Sequence, residues 1–111
     1  MRILRTRLFD RRAKEAGLDD VRIENLIARL REHPRLGDVI PGGGGARKIR
    51  IAIPGRGTRG GGRVIYAIVM QGSALVLITL YTKQERSDLS PNERKEIGRM
   101  ISDINQENGN D

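Results

Sequence analysis

The chain contains no cysteine and no tryptophan, one histidine, and only Phe9, Tyr66 and Tyr81 as aromatics. Without cysteine there are no disulfide staples, no thiol nucleophile and no thiolate zinc site. With His33 alone, conventional triads, paired-histidine ribonuclease chemistry and Cys/His metal sites are excluded as well. Three aromatics are too few for a sheet on which successive bases of a single strand would stack. No apolar run is long enough for a signal peptide or a membrane span, and Arg2, Arg5 and Arg7 interrupt the start of the chain. The expectation is one reduced, soluble, cytoplasmic domain over residues 1–111, held by an apolar core and needing no metal or cofactor to fold.

What the chain does have is positive charge, and it is concentrated. Lys+Arg number 21 against 14 Asp+Glu, a formal net charge of +7. Between residues 34 and 83 there are eight basic side chains and a single acid, Asp38, whereas residues 84 to 111 carry four basic and seven acidic ones. A basic block interleaved with strand-like apolar residues is the footprint of a polyanion partner, phosphate backbone first. The competing reading is a solvated basic face kept for solubility.

The periodicities divide the chain into elements. Residues 2 to 8 suit an edge strand running into a helix on which Phe9, Ala13 and Ala16 share a face, ending at Gly17. Asp19 or Asp20 offers an N-cap, and Ile23, Leu26, Ile27 and Leu30 then recur at helical spacing until His33-Pro34. From 46 to 53 the period becomes two: Ile49, Ile51 and Ile53 alternate with Lys48, Arg50 and Ala52, giving a half-buried strand with one basic face. Residues 63–70 and 74–82 are apolar on both faces and read as a central hairpin about Gln71-Gly72-Ser73. Ser90-Pro91-Asn92-Glu93 is a capping box with proline at the first helical position, followed by Ile97, Met100, Ile101 and Ile104. Residues 107–111 have nothing to bury and are expected to fray. The fold class is α+β, with N-terminal helices and a C-terminal helix packed on a mostly antiparallel sheet.

Glycine-rich patterns need weighing. Gly55-Arg56-Gly57-Thr58-Arg59-Gly60 matches G-x-G-x-x-G, but a dinucleotide loop must open a helix, and a strand is expected next. Gly42 to Gly45 precede Ala46-Arg47-Lys48 rather than Gly-Lys-Ser/Thr, so the phosphate loop of nucleotide triphosphatases fails too; a mobile hairpin connection remains. Lys48 and Arg50 project to one side of their strand, Arg63 opens the next, and Tyr81 and Lys83 leave the last one on a common face. If these strands are neighbours, the five residues form one patch; the competing reading is charges that blunt sheet edges. His33 reads as a helix cap. Glu85 and Asp88 read as ion-pair partners rather than magnesium ligands, since hard cations want several converging oxygens.

Leu36-Gly37-Asp38-Val39-Ile40-Pro41, the glycines, Ala46-Arg47-Lys48-Ile49-Arg50, Gly61-Gly62-Arg63-Val64-Ile65-Tyr66, Leu80-Tyr81-Thr82-Lys83 and Ser87-Asp88-Leu89 together resemble the HigB branch of the RelE/ParE toxin superfamily, over nearly the whole chain. The resemblance implies a RelE-like fold and a toxin of a type II toxin–antitoxin pair. Such a toxin cuts messenger RNA in the ribosomal A site and is silenced by a HigA-like antitoxin with a helix-turn-helix, so that it meets DNA only through that complex. It further implies metal-independent chemistry by Lys48, Arg50 and Arg63, with Tyr81 and Lys83 standing where the family has other groups after the last strand. Gln84 and Ser90 occupy positions where the family carries arginine and tyrosine. Arg47, Arg56 and Arg59 are then RNA-binding, through phosphates. Lys48 is the proton acceptor in this reading, because arginine is effectively always charged. The alternatives are a noncatalytic gyrase inhibitor of the ParE kind and a basic RNA- or ribosome-binding module without nuclease activity.

Overall fold

The computed structural model describes residues 1–55 and 57–109. The element order is β1 (Arg2–Arg5), α1 (Arg7–Glu15), α2 (Asp20–Glu32), β2 (Asp38–Val39), β3 (Arg47–Ile53), β4 (Gly57–Val69), a short 3-10 turn (Met70–Gly72), β5 (Ala74–Thr82) and α3 (Pro91–Gly109). The strands form one five-stranded sheet in the order β1-β5-β4-β3-β2. Every pairing is antiparallel except β1 with β5, which is parallel. The expected α+β architecture is therefore present, with β2 an addition that its two residues are too few to announce.

The helices start where their caps place them. Thr6 accepts from the Phe9 amide at 2.9 Å to open α1, and Asp19 accepts from the Arg22 amide at 2.9 Å to open α2. Gly17, at φ +79°, ends the first helical segment in the left-handed region that a side chain resists. At α3 the capping box closes in both directions: the Glu93 amide donates to Ser90 Oγ (3.2 Å) and the Ser90 amide to Glu93 Oε1 (2.9 Å). α3 runs to Gly109, past Glu107 where the tail was expected to begin; residues 110 and 111 lie outside the described residues.

Two apolar layers cover the sheet. Phe9 and Ala13 of α1 and Ile23, Leu26, Ile27 and Leu30 of α2 pack on one face against Ile49, Val64, Tyr66, Leu75, Leu77 and Leu80. Ile97 and Ile101 of α3, with Leu89, pack on the other against Ile65, Ala67, Val76, Ile78 and Tyr81. β5 lies between both layers and all nine of its residues are buried. This is why it reads as an unbroken apolar run rather than as an alternation.

The connection between β2 and β3 is the expected hairpin, closed by the Ile40 amide on Ala46 O at 2.9 Å. It is also packed. A Cβ on Gly44 would stand 2.7 Å from Gly98 Cα, so two glycines let this loop touch the backbone of α3.

One irregularity changes the faces of the sheet. In the β4–β5 pairing Tyr66 faces Leu77 but Ile65 faces Thr79, so Ile78 is an extra residue on β5. A bulge of this kind shifts the alternation by one position. Ala74, Val76 and Ile78 face α3; beyond the bulge it is Tyr81, not Leu80, that joins them.

Candidate functional site

The site follows from strand register. β3 pairs with β4 so that Arg50 lies opposite Arg63, and β4 pairs with β5 so that Arg63 lies opposite Tyr81. Directly opposed residues have Cβ atoms about 5 Å apart, so these three side chains form a row across the sheet. Lys48 lies two residues from Arg50 on the same face, opposite Ile65. Lys83 extends the ladder just beyond β5, its amide donating to Gly61 O at 3.0 Å. All five line one open cleft of about 460 Å³, which Arg29 of α2 and the segment Leu36-Gly37-Asp38 wall on one side.

Five of the residues lining that cleft are cationic (Arg29, Lys48, Arg50, Arg63 and Lys83), and only Asp38 among them is acidic. Arg29, Arg50 and Lys83 make no ion pair among the described residues. Like charges gathered this closely are unfavourable without a counter-charge, so an anion placed in the cleft would be stabilised. A second polar hollow, between α1 and the loop after β5, differs in kind. It includes Glu15 and Glu85 beside Arg11 and Arg12, and Arg12 is already paired with Glu85 at 3.4 Å.

Behind the row, the loop into α3 supplies a brace. Asp88 Oδ1 stands 3.7 Å from Lys48 Nζ and its Oδ2 accepts from Arg94 at 3.0 Å. The Leu89 amide above all, with Lys48 and Arg94, holds this carboxyl below the ordinary aspartate value against the opposing effect of burial. Burial alone would raise the Glu93 carboxyl, but the Ser90 amide, the Arg86 guanidinium and the Ser90 hydroxyl together bring it below its ordinary value. The ion-pair reading of Asp88 and Glu85 is thus what the structure has. Arg86 also lies over the Tyr81 ring, 5.8 Å from its centroid.

Tyr81 forms the floor of the cleft and is only 2% exposed. Burial chiefly, and Asp88 next, push its phenol above the ordinary tyrosine value despite Arg63, Arg86 and Arg94 nearby. It therefore keeps its proton throughout the neutral range.

Arg47 is not in the cleft. It lies on the opposite face of β3, and its guanidinium donates to Gly37 O (2.8 Å) and Arg35 O (3.1 Å), so it ties down the segment that walls the cleft. Arg56 and the Arg59 side chain lie outside the described residues. The backbone from Gly57 on is strand, not helix, which removes the dinucleotide-loop reading of the glycine pattern. Tyr66 has a supporting part: its hydroxyl accepts from the Gly37 amide and donates to Pro34 O, both at 2.8 Å. His33 is the C-cap of α2, as its position suggested.

Sequence reasoning missed Arg29, Arg86 and Arg94. Each occurs in a helix or loop rich in other charges, and no local spacing distinguishes it. No group of three or more His, Cys, Asp or Glu placed to hold a metal ion occurs among the described residues. No helix among them is long and apolar enough to cross a membrane. A family model described as the RelE toxin of the RelE/RelB toxin–antitoxin system matches residues 1–110. With the α+β fold and this match over almost its full length, the chain belongs to the RelE toxin family.

Proposed function

We propose that this chain is a HigB-type toxin domain over residues 1–111, acting in the cytoplasm as a ribosome-dependent endoribonuclease that cuts messenger RNA in the A site and is neutralised by an antitoxin bearing a helix-turn-helix. The observation that carries this reading is the row Arg50–Arg63–Tyr81, with Lys48 and Lys83 beside it in one cleft. RNA cleavage without a metal needs a group that takes the 2′-hydroxyl proton, positive charge on the pentacovalent phosphate, and a donor for the departing 5′-oxygen.

The cleft supplies a candidate for each. Lys48, once it has lost its own proton, takes the 2′-hydroxyl proton: a lysine can become a neutral amine with a free lone pair, whereas the guanidinium groups beside it are effectively always charged. Arg50 and Arg63, on adjacent strands, hold the two non-bridging oxygens as negative charge builds on them. Tyr81, with its proton retained by burial, donates to the 5′-oxygen. The 2′-oxygen bonds to phosphorus as the bond to the 5′-oxygen breaks, leaving a 2′,3′-cyclic phosphate and a 5′-hydroxyl. Lys83 adds charge at the rim, and Arg56 and Arg59 contact ribosomal RNA phosphates. Arg47 acts on RNA only indirectly, by fixing the 35–37 segment.

The test is expression without an antitoxin beside a Lys48→Ala/Arg63→Ala variant, mapping 5′ ends on a translated and an untranslated copy of one transcript. Cuts confined to the translated copy and absent with the variant are the expected result. Growth arrest with intact messages overturns it in favour of gyrase inhibition, and harmless expression in favour of a binding module.

A further inference from the structure

The cleft continues beyond the residues just assigned. β2 pairs with β3 only at Asp38–Lys48 and Val39–Arg47, so β3 beyond Lys48 has no strand on its outer side among the described residues. There the α2 flank and the outer edge of β3 enclose a second hollow of about 370 Å³. Arg29 and Arg50 line both hollows, which makes them adjoining parts of one channel. Arg22 and Asn25 rim the outer part, and Leu26 and Ile51 contribute apolar floor.

Three features of this channel match a nucleic-acid strand. Arg22, Asn25 and Arg29 recur at i, i+3 and i+7, so they share a face of α2, and Arg22 stands about 10 Å along the axis from Arg29. That span corresponds to about three phosphates at the ~3.4 Å spacing of a stacked strand. Neither Arg29 nor Arg50 is paired with a carboxylate among the described residues, and Arg22 pairs only with Asp19, both side chains being about half exposed. An exposed pair of this kind contributes little and yields readily to a phosphate. The floor is aliphatic and contains no aromatic ring, so it accommodates sugars and base edges without selecting among bases.

We infer that the channel between α2 and the outer edge of β3 holds the single-stranded RNA adjoining the scissile phosphate: Arg22 and Arg29 on phosphates about three steps apart, Asn25 on a phosphate or 2′-hydroxyl between them, and Arg50 where the strand passes into the cleft. This rests on the RNA reading of the cleft and extends it by about three nucleotides, read through the backbone and therefore tolerant of sequence.

The probes are 2′-O-methyl oligonucleotides of three and nine nucleotides, which lack the attacking hydroxyl and remain intact. They are titrated against the wild-type chain, Arg22→Gln/Asn25→Ala, and Lys95→Gln, which removes one charge from the exposed side of α3. The wild-type chain binds the longer probe more tightly. Arg22→Gln/Asn25→Ala weakens that binding at least fivefold, changes the shorter probe less than twofold, and lowers the slope of log K against log salt by about 0.7. Equal loss for both probes, equal loss with Lys95→Gln, no loss, no wild-type preference for length, or tighter binding of duplex DNA of the same length each overturns the inference. Uncut messages in the expression test together with the expected probe results remove the nuclease and leave the channel. Cut messages with indifferent probes do the reverse.

Discussion

Replacing Tyr66 by phenylalanine removes one oxygen and leaves the ring that fills the core. That oxygen joins two parts of the segment walling the cleft, accepting from the Gly37 amide and donating to Pro34 O at 2.8 Å each. The Gly37–Tyr66 bond is buried, so its amide has no water to turn to. A buried donor left unpaired costs about 1–3 kcal/mol, and the partly buried Pro34 carbonyl adds about 0.5 kcal/mol. The expected loss is about 2.5 kcal/mol, a large fraction of the ~5–15 kcal/mol that holds a domain of this kind folded. With an unfolding entropy of roughly 2.1 cal/mol/K per residue, Tm falls by about 10 °C. Urea titration followed by circular dichroism measures it, and the m value stays unchanged because the same surface is exposed. A second readout lies at alkaline pH. Burial chiefly raises the Tyr66 phenol above 10.0, so its contribution is complete below that value and is lost as pH rises toward the raised one. Tyr66→Phe removes part of the alkaline loss and leaves the part due to Tyr81. A stability change below about 0.5 kcal/mol, or an unaltered alkaline limb, refutes the assignment of Tyr66 as the anchor of residues 34–37.

The remaining predictions concern the brace and the packed glycines. Asp88 sits below the usual aspartate value of 3.8, so its contribution is complete above that value and is lost as pH falls through the depressed one. Asp88→Asn therefore flattens the decline in stability under acid, measured as Tm against pH from 5 down to about 2. Gly44→Ala combines a left-handed backbone at φ +67° with a Cβ 2.7 Å from Gly98 Cα. It destabilises the chain by more than the ~1–2 kcal/mol of the backbone alone, read by the same urea titration. Gly42→Ala has the same handedness but open space around its Cβ. It shows the backbone cost only.

Much of this was local and so was legible. Asp19 and the Ser90–Glu93 box cap helices with groups a few residues away, and the 3.6 and 2.0 periods of α2 and β3 are written in consecutive residues. The concentration of positive charge between residues 34 and 83 was equally plain and pointed to an anionic partner. Lys48 and Arg50 share a face by alternation alone, whatever the rest of the chain does. The packing of the four-glycine loop was not legible, because the glycine it touches, Gly98, belongs to α3.

Whether that basic face becomes a site was decided elsewhere. Register is a long-range quantity: only the β3–β4 and β4–β5 pairings set Arg50, Arg63 and Tyr81 in a row, and a slip of one residue would disperse them. Ile78 gives no sign in an apolar run that it will bulge, yet the bulge puts Tyr81 on the α3 side with Lys48 and Arg50. Alternation alone sets Arg47 on the face opposite Lys48, but only the fold brings the turn of 35–37 to its guanidinium. The sequence determined the elements and the sign of the field, because both follow from neighbours along the chain. The tertiary structure decided which charges stand together, because that depends on pairings between residues dozens of positions apart.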